Sequence, residues 1–202
     1  MKKLFTLFTI LVVSLITSCN EKEDVVTIHT DQGDIVIILF DETPLHKANF
    51  LKLVEQKFYD GTTFHRIMDG FMIQGGDPNS KDDDVMNDGR GGPGYTVPEE
   101  FNAQLTHIKG AVAAARQPDN VNPEKASSGS QFYIIEPDDG YHSLDGNYTV
   151  FGQTISGLDV VEAIALEPKN ARNRPITDII MSIEVTKMTR KKIAKEYGYE
   201  FE

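Results

Sequence analysis

The sequence has one cysteine, Cys19, and no tryptophan among its 202 residues. A lone cysteine excludes an internal disulfide, so the fold must rest on packing and hydrogen bonding. No apolar run reaches the roughly 20 residues that a membrane-spanning helix needs. Cations are also scarce: 20 Lys and Arg stand against 31 Asp and Glu, a formal net charge of −11. Nucleic-acid binding draws on clustered Lys and Arg that neutralise phosphates. This balance argues against nucleic acid as a partner. The five histidines, at 29, 46, 65, 107 and 142, include no pair at the usual metal-ligand spacing. Asp82, Asp83, Asp84 and Asp88 depart from the spacing of a calcium loop and read as a solvated acidic loop. Neither a metal nor a cofactor is expected.

The first residues, "MKKLFTLFTILVVSLITSCN", have the layout of a secretory leader. Lys2 and Lys3 precede an apolar run from Leu4 to Ile16, the length of a signal-peptide core. The end of that run, Ile16-Thr17-Ser18-Cys19, resembles a bacterial lipobox, in which the cysteine becomes the lipid-bearing first residue. Residues 1–18 then read as a lipoprotein signal peptide and 19–24 as a short polar tether. The expected location is the cell envelope, with Cys19 anchoring the chain to a bacterial membrane, periplasmic or surface-facing. An ordinary signal peptide cleaved elsewhere is the alternative. The acidic "NEKED" after Cys19 resembles a surface-export tag of some bacterial lipoproteins, or is simply a solvated spacer.

With 40% apolar and 25% charged residues, the remainder suits one globular domain. "VVTIHTDQGDIVIILF" is two β-rich runs around a short turn with Gly33, a hairpin pattern. Thr43-Pro44 reads as an N-cap followed by proline at the first helical position. Strand-like runs follow at 64–67, 72–74, 112–115, 131–135 and 149–151, separated by Gly, Pro and Asp. Ser156 is placed to cap a second helix through Ile164, and "TDIIMSIEVTKM" reads as a last strand. Short strands with two good helices predict a closed antiparallel β-barrel of a mainly β class with helices at its ends. The segment 189–202 reads as a tail with a short helix between Thr189 and Gly198.

One stretch, "FHRIMDGFMIQGGD" at 64–77, sets a permanent cation among apolar residues and closes on two glycines. It resembles the signature of the cyclophilin-type peptidyl-prolyl isomerases. "GAVAAAR" (110–116), "SGSQFYII" (128–135) and "LDGNYTVFG" (144–152) follow in that family's order, and the resemblance spans about 25–188. It implies an eight-stranded closed barrel capped by two helices and acceleration of X–Pro isomerisation in envelope or secreted proteins. It further implies a monomer without cofactor that takes proline-containing polypeptides. Carried onto this chain, the resemblance makes Arg66, Gln74 and His65 the catalytic set. Phe71, Met72, Tyr133 and Leu144 would line the proline pocket, with Gln131, Ala115, Arg116 and Tyr148 along the groove. Taken singly, Phe71 and Met72 would read as core, and Arg66 as a surface charge.

The chain departs from the family's pattern in five places. Ser143 stands where an aromatic residue is common, so Tyr141 or His142 is left to fill the space. Tyr148 replaces a frequent histidine. Tyr133 replaces phenylalanine and adds a hydroxyl that needs a partner or solvent. The insertions "NSKDDDVMNDGRGG" and "QPDNVNPEKASS" should fall near the groove. A non-catalytic proline-peptide binding module, or a general envelope chaperone on the same fold, is the alternative function.

Overall fold

The computed structural model describes residues 22–201. The leader, Cys19 and the first residues of the expected tether lie outside the described residues. Nine strands run β1 Lys22–Thr30, β2 Gly33–Leu39, β3 Arg66–Met68, β4 Met72–Gly75, β5 Thr96–Val97, β6 Ala111–Arg116, β7 Ser127–Ile135, β8 Val150–Ser156 and β9 Ser182–Thr189. Three helices accompany them: α1 Pro44–Glu55, α2 Leu158–Leu166 and α3 Arg190–Tyr197. Every strand pairing is antiparallel, in the order β3-β4-β7-β6-β8-β2-β1-β9, with β5 on β7.

The β1–β2 hairpin forms where the sequence alternates around Asp31-Gln32. Thr30 Oγ1 donates to the Gly33 carbonyl at 2.8 Å and accepts from the Gln32 amide at 3.1 Å, which fixes the turn. Lys22 to Asp24, read as the end of a tether, are instead the start of β1, paired with Lys187–Thr189. Their charges hide the strand pattern, yet Glu23 meets Arg190 at 2.6 Å and Asp24 meets Lys187 at 2.7 Å.

Thr43 occupies the N-cap of α1 with Pro44 behind it, but its side chain makes no capping bond. Glu100 serves that end instead: its two oxygens accept from the Leu45 and His46 amides at 3.0 and 2.9 Å. A carboxylate there also suits the helix dipole. At α2 the cap is Gly157 (φ 83°), not Ser156, which stays in β8 opposite Val36. A Cβ on Gly157 would sit 2.2 Å from the Asp34 carbonyl oxygen, so only glycine makes this strand-to-helix corner.

The mainly β antiparallel sheet has eight strands along one path with two-residue β5 beside β7, and no strand ladder closing that path is detected among the described residues. Between its two ends, the segments 61–64 and 179–181 meet through one isolated bridge, Thr63–Ile180. Backbone bonds join Phe64 to Ile179, Gly61 to Met181 and Met181 to Thr62 at 2.8–3.0 Å. Gly61 and the turns around it interrupt the extended pattern, so contact is made without a regular strand pair.

Side chains alternate across the sheet, with register shifts in the β2–β8, β6–β7 and β6–β8 pairings. Val26, Ile28, Ile35, Ile37, Ile73, Val112, Phe132 and Ile134 point to the main core with Phe50 and Leu53 of α1. On the other face Val25, Val36, Ile38 and Met188 are covered by Ile193 of α3, which is capped by Thr189 Oγ1 and closed by left-handed Gly198. Ile193 is fully buried, so Ile193→Ala should cost about 2–5 kcal/mol in chemical denaturation. Exposed Ile176→Ala should stay within about 0.5 kcal/mol. Equal effects would show that α3 does not dock.

Candidate active site

The same alternation builds a groove on the outer face of β4, β6 and β7. Met72, Ala111, Ala113, Tyr133, Ile135 and Val150 form its buried floor; Met68, Phe71, Ala115, Leu144 and Tyr148 pack on it half-buried. Gly75 and Gly76 end β4 against the core. Gly76 has φ 84°, and a Cβ there would lie 2.4 Å from the Ser130 carbonyl oxygen.

Arg66 and Gln74 face each other across the β3–β4 ladder. Arg66 Nη1 donates to Gln74 Oε1 at 3.1 Å, and Nη2 donates to Met68 Sδ at 3.1 Å. Gln74 Nε2 donates to Gln131 Oε1 at 3.1 Å, and Gln131 Nε2 to the Gly91 carbonyl at 2.8 Å. Each amide accepts on one side and donates on the other. The guanidinium lies 5.8 Å from the Phe71 ring centre. Burial lowers the Arg66 pKa from its ordinary value, with Tyr148 opposing, and the guanidinium keeps its charge.

Phe71 is held by its backbone: its amide donates to Met68 and its carbonyl accepts from Glu136, at 3.1 and 3.0 Å. Tyr141 lies beside it with ring centres 4.4 Å apart and planes tilted by 42°, whereas His142 pairs with Asp145. Arg116 spans Tyr148, 4.6 Å from its ring centre, and binds the Asn147 carbonyl and Asp119.

The Tyr133 hydroxyl meets His107 Nε2 at 3.0 Å, and His107 Nδ1 meets Asp145 Oδ1 at 2.7 Å. Burial lowers the His107 pKa against the pull of Asp145, and burial raises that of Tyr133. Neutral His107 therefore accepts from the hydroxyl and donates to the carboxylate. His107 and Asp145 were not foreseen as part of the site; the one sequence signal for them was the hydroxyl at Tyr133 that required a partner. Met68 was missed as well.

His65 stands apart from this network. It is buried, bonded neither to Arg66 nor to any groove residue, and lines a neighbouring cavity. Both insertions border the groove. A cavity of about 820 Å³ is lined by Gln74, Gln131, Ala115 and Arg116 together with 89–92 of the first and Gln117, Val121, Asn122 and Ala126 of the second. Among the described residues no group of three or more His, Cys, Asp or Glu could hold a metal. Asp82 and Asp84 instead accept backbone amides within their own loop.

Residues 25–185 match the family described as cyclophilin type peptidyl-prolyl cis-trans isomerase/CLD. The chain belongs to the cyclophilins. Among its relatives is peptidyl-prolyl cis-trans isomerase-like 3 of Dictyostelium discoideum, 39% identical over 162 residues, covering 77% of this chain and 91% of that one. Peptidyl-prolyl cis-trans isomerase B of Streptomyces anulatus is 34% identical over 174 residues, with the same coverage. A Cryptosporidium parvum cyclophilin crystal structure superposes with a TM-score of 0.71 at 29% identity, covering 82% of this chain and 98% of its own. The same Cryptosporidium protein, crystallised with the dipeptide Ala-Pro, gives 0.69 at 30% identity, covering 80% and 98%. This cyclophilin is thus a peptidyl-prolyl cis-trans isomerase with the cyclophilin fold, and cyclophilins bind proline-containing peptides.

Burial lowers the pKa of His46, His65 and His107 below the ordinary 6.5, outweighing their neighbouring carboxylates. The unfolded cyclophilin therefore takes up protons first as pH falls through 6.5, and folded stability declines from there downward. Burial raises Glu100 and Asp145, but amide and imidazole donors hold both below ordinary carboxylates, so their contribution is lost only at lower pH. His29, raised by its bond to Asp34, opposes the trend alone. The urea midpoint should fall between pH 7 and pH 5, and less so in His65→Gln. A midpoint that rises towards pH 5 would contradict neutral buried histidines.

Proposed function

We propose that Arg66 drives isomerisation by donating to the prolyl nitrogen as the amide twists, while Phe71, Met72, Tyr133 and Leu144 hold the proline ring. The X–Pro bond resists rotation because its nitrogen lone pair is conjugated with the carbonyl. A donor aimed at that nitrogen favours the pyramidal, twisted state over the planar one, which is stabilisation gained in the transition state alone. No nucleophile, metal or cofactor is needed for such a step. Gln74 and Gln131 steady the guanidinium and meet the substrate carbonyl, Ala115 and Arg116 offer backbone to an extended peptide, and Tyr148 walls the groove. His65 acts at most through its position beside Arg66.

One observation carries this reading. Among the described residues Arg66 is held by an amide oxygen and a thioether sulfur and has no carboxylate partner. Neutral acceptors fix its direction without cancelling its charge, in a half-buried setting where that charge counts for more than in water. Arg66→Ala should lower kcat/KM on a short X–Pro peptide by about 10²–10³-fold. Arg66→Lys should recover little of it, because an ammonium lacks the planar donor fork. A prolyl-exchange assay on residues 20–202 decides this; full activity in Arg66→Ala would sink the mechanism.

The clients we propose are secreted or envelope polypeptides, met by a monomer anchored through lipidated Cys19. The leader pattern ending at Cys19 supports this, and two or more acyl chains make a stable anchor. Cys19→Ser should release the protein from the membrane pellet and abolish incorporation of a fatty-acid probe. Unchanged fractionation without probe uptake would leave an ordinary secreted enzyme.

A further inference from the structure

The chain has six arginines, and their partners divide them cleanly. Arg116 pairs with Asp119, Arg174 with Asp88 and Asp178, and Arg190 with Glu23. Arg66, Arg90 and Arg172 have no carboxylate partner among the described residues. All three line one cavity of about 700 Å³, beside the groove and sharing Arg66 and Gln74 with it.

Arg174 also borders this cavity, and Asp88 is its only acidic wall. One of its oxygens is engaged, Arg174 Nε donating to Asp88 Oδ2 at 2.6 Å with both side chains nearly buried, while Oδ1 is buried without a hydrogen-bond partner. Asp82, Asp83 and Asp84 of the same loop do not line it. Arg172 is steadied by a neutral group, donating from Nη1 to Met86 Sδ at 3.0 Å, as Arg66 is by Met68. His65 faces the same space 5% exposed, and neither ring nitrogen has a hydrogen-bond partner, the nearby Thr63 backbone lacking the geometry for one. On a protein of net charge −11, the uncompensated guanidinium groups are gathered at one place.

We propose that this cavity is a subsite for the carboxylate of an Asp or Glu side chain in the substrate, close in sequence to the isomerising proline. Guanidinium groups bind carboxylates through paired, charge-assisted hydrogen bonds. An extended peptide advances about 3.3 Å per residue. Because Arg66 borders both spaces, the acidic residue lies within roughly three positions of the proline. The assignment rests on the isomerase reading of the groove. It deepens that reading by naming what the substrate carries beside proline. The field of an acidic protein as a whole disfavours acidic peptides, so the predicted preference has the opposite sign to the one net charge gives.

The test uses the full chain in mild detergent and X–Pro peptides carrying glutamate, or its glutamine twin, at each of the three positions on either side of proline. Kd is measured by fluorescence anisotropy and kcat/KM by prolyl exchange. At one or more positions the glutamate peptide should bind roughly tenfold more tightly than its twin, with the advantage shrinking at high salt. Arg90→Ala/Arg172→Ala, both exposed positions, should erase the advantage, so that glutamate and glutamine peptides bind with equal Kd. Equal or weaker binding of every glutamate peptide overturns the subsite. So does an advantage that survives the double variant, which assigns it to Arg66 alone, or failure of every peptide to bind. Binding without turnover would fail the isomerase mechanism, while the glutamate–glutamine comparison of Kd would still decide the subsite.

Discussion

The groove depends on the two-residue period of three antiparallel strands. In β7, Phe132 and Ile134 enter the main core while Tyr133 and Ile135 enter the groove; β6 divides Val112 and Ala114 from Ala111 and Ala113 in the same way. A slip of one residue in either strand would exchange floor for core throughout. The active face therefore needs no separate scaffold. It is the outer side of the sheet whose inner side holds the protein together, and the pressure to bury Phe132 also fixes Tyr133. At the far end of the sheet the same outer face, at Val25, Val36 and Ile38, is closed by α3. At the β4–β6–β7 end no helix seals it, and the floor is covered by half-buried Met68, Phe71, Ala115, Leu144 and Tyr148.

On that face the polar groups are arranged by charge. Arg66 is oriented by Gln74 and Met68, neither of which carries charge. Where carboxylates occur nearby they are already engaged, Asp145 with His107 and His142, Glu100 with His46 and the start of α1. The Tyr133 hydroxyl would be costly in an apolar floor without a partner. Neutral His107 accepts a hydrogen bond from it at Nε2 and donates from Nδ1 to half-buried Asp145. The pocket thus gains a polar tip without gaining a charge at the Tyr133 hydroxyl itself.

How much of this was legible in the sequence follows from the range of each contact. Arg66 and Gln74 are eight residues apart in a two-strand hairpin, so the stretch that holds them reads as a unit. The β1–β2 hairpin and the ends of α3 were equally local. The Glu100 cap of α1 comes from 55 residues away and the His107–Tyr133 bond spans 26, distances over which no periodicity connects partners. Ser156 was preferred to Gly157 as a cap because serine has a side chain that can bond, yet the corner demanded φ 83° and the absence of a Cβ. Lys22 to Asp24 looked like a tether because their strand character comes from cross-strand charge pairing, not from apolar alternation.

The insertion after the glycine pair shows how an acidic loop can border a cationic site without quenching it. Asp82 and Asp84 spend oxygens on the Asp84 and Met86 amides of their own turns. Asp77 does the same for Asn79 and Gly91. Asp88 is the exception, and it reaches across to Arg174 in the turn after α2. That nearly buried pair would be costly to break from the arginine side, since removing Arg174 strands Asp88 in low dielectric. It ties the loop to the 170–174 turn, and both segments line the cavity beside Arg66. The carboxylate that could have neutralised Arg90 or Arg172 is the one used to hold the walls together. The positive character of the cavity is thus a consequence of how the loop is anchored.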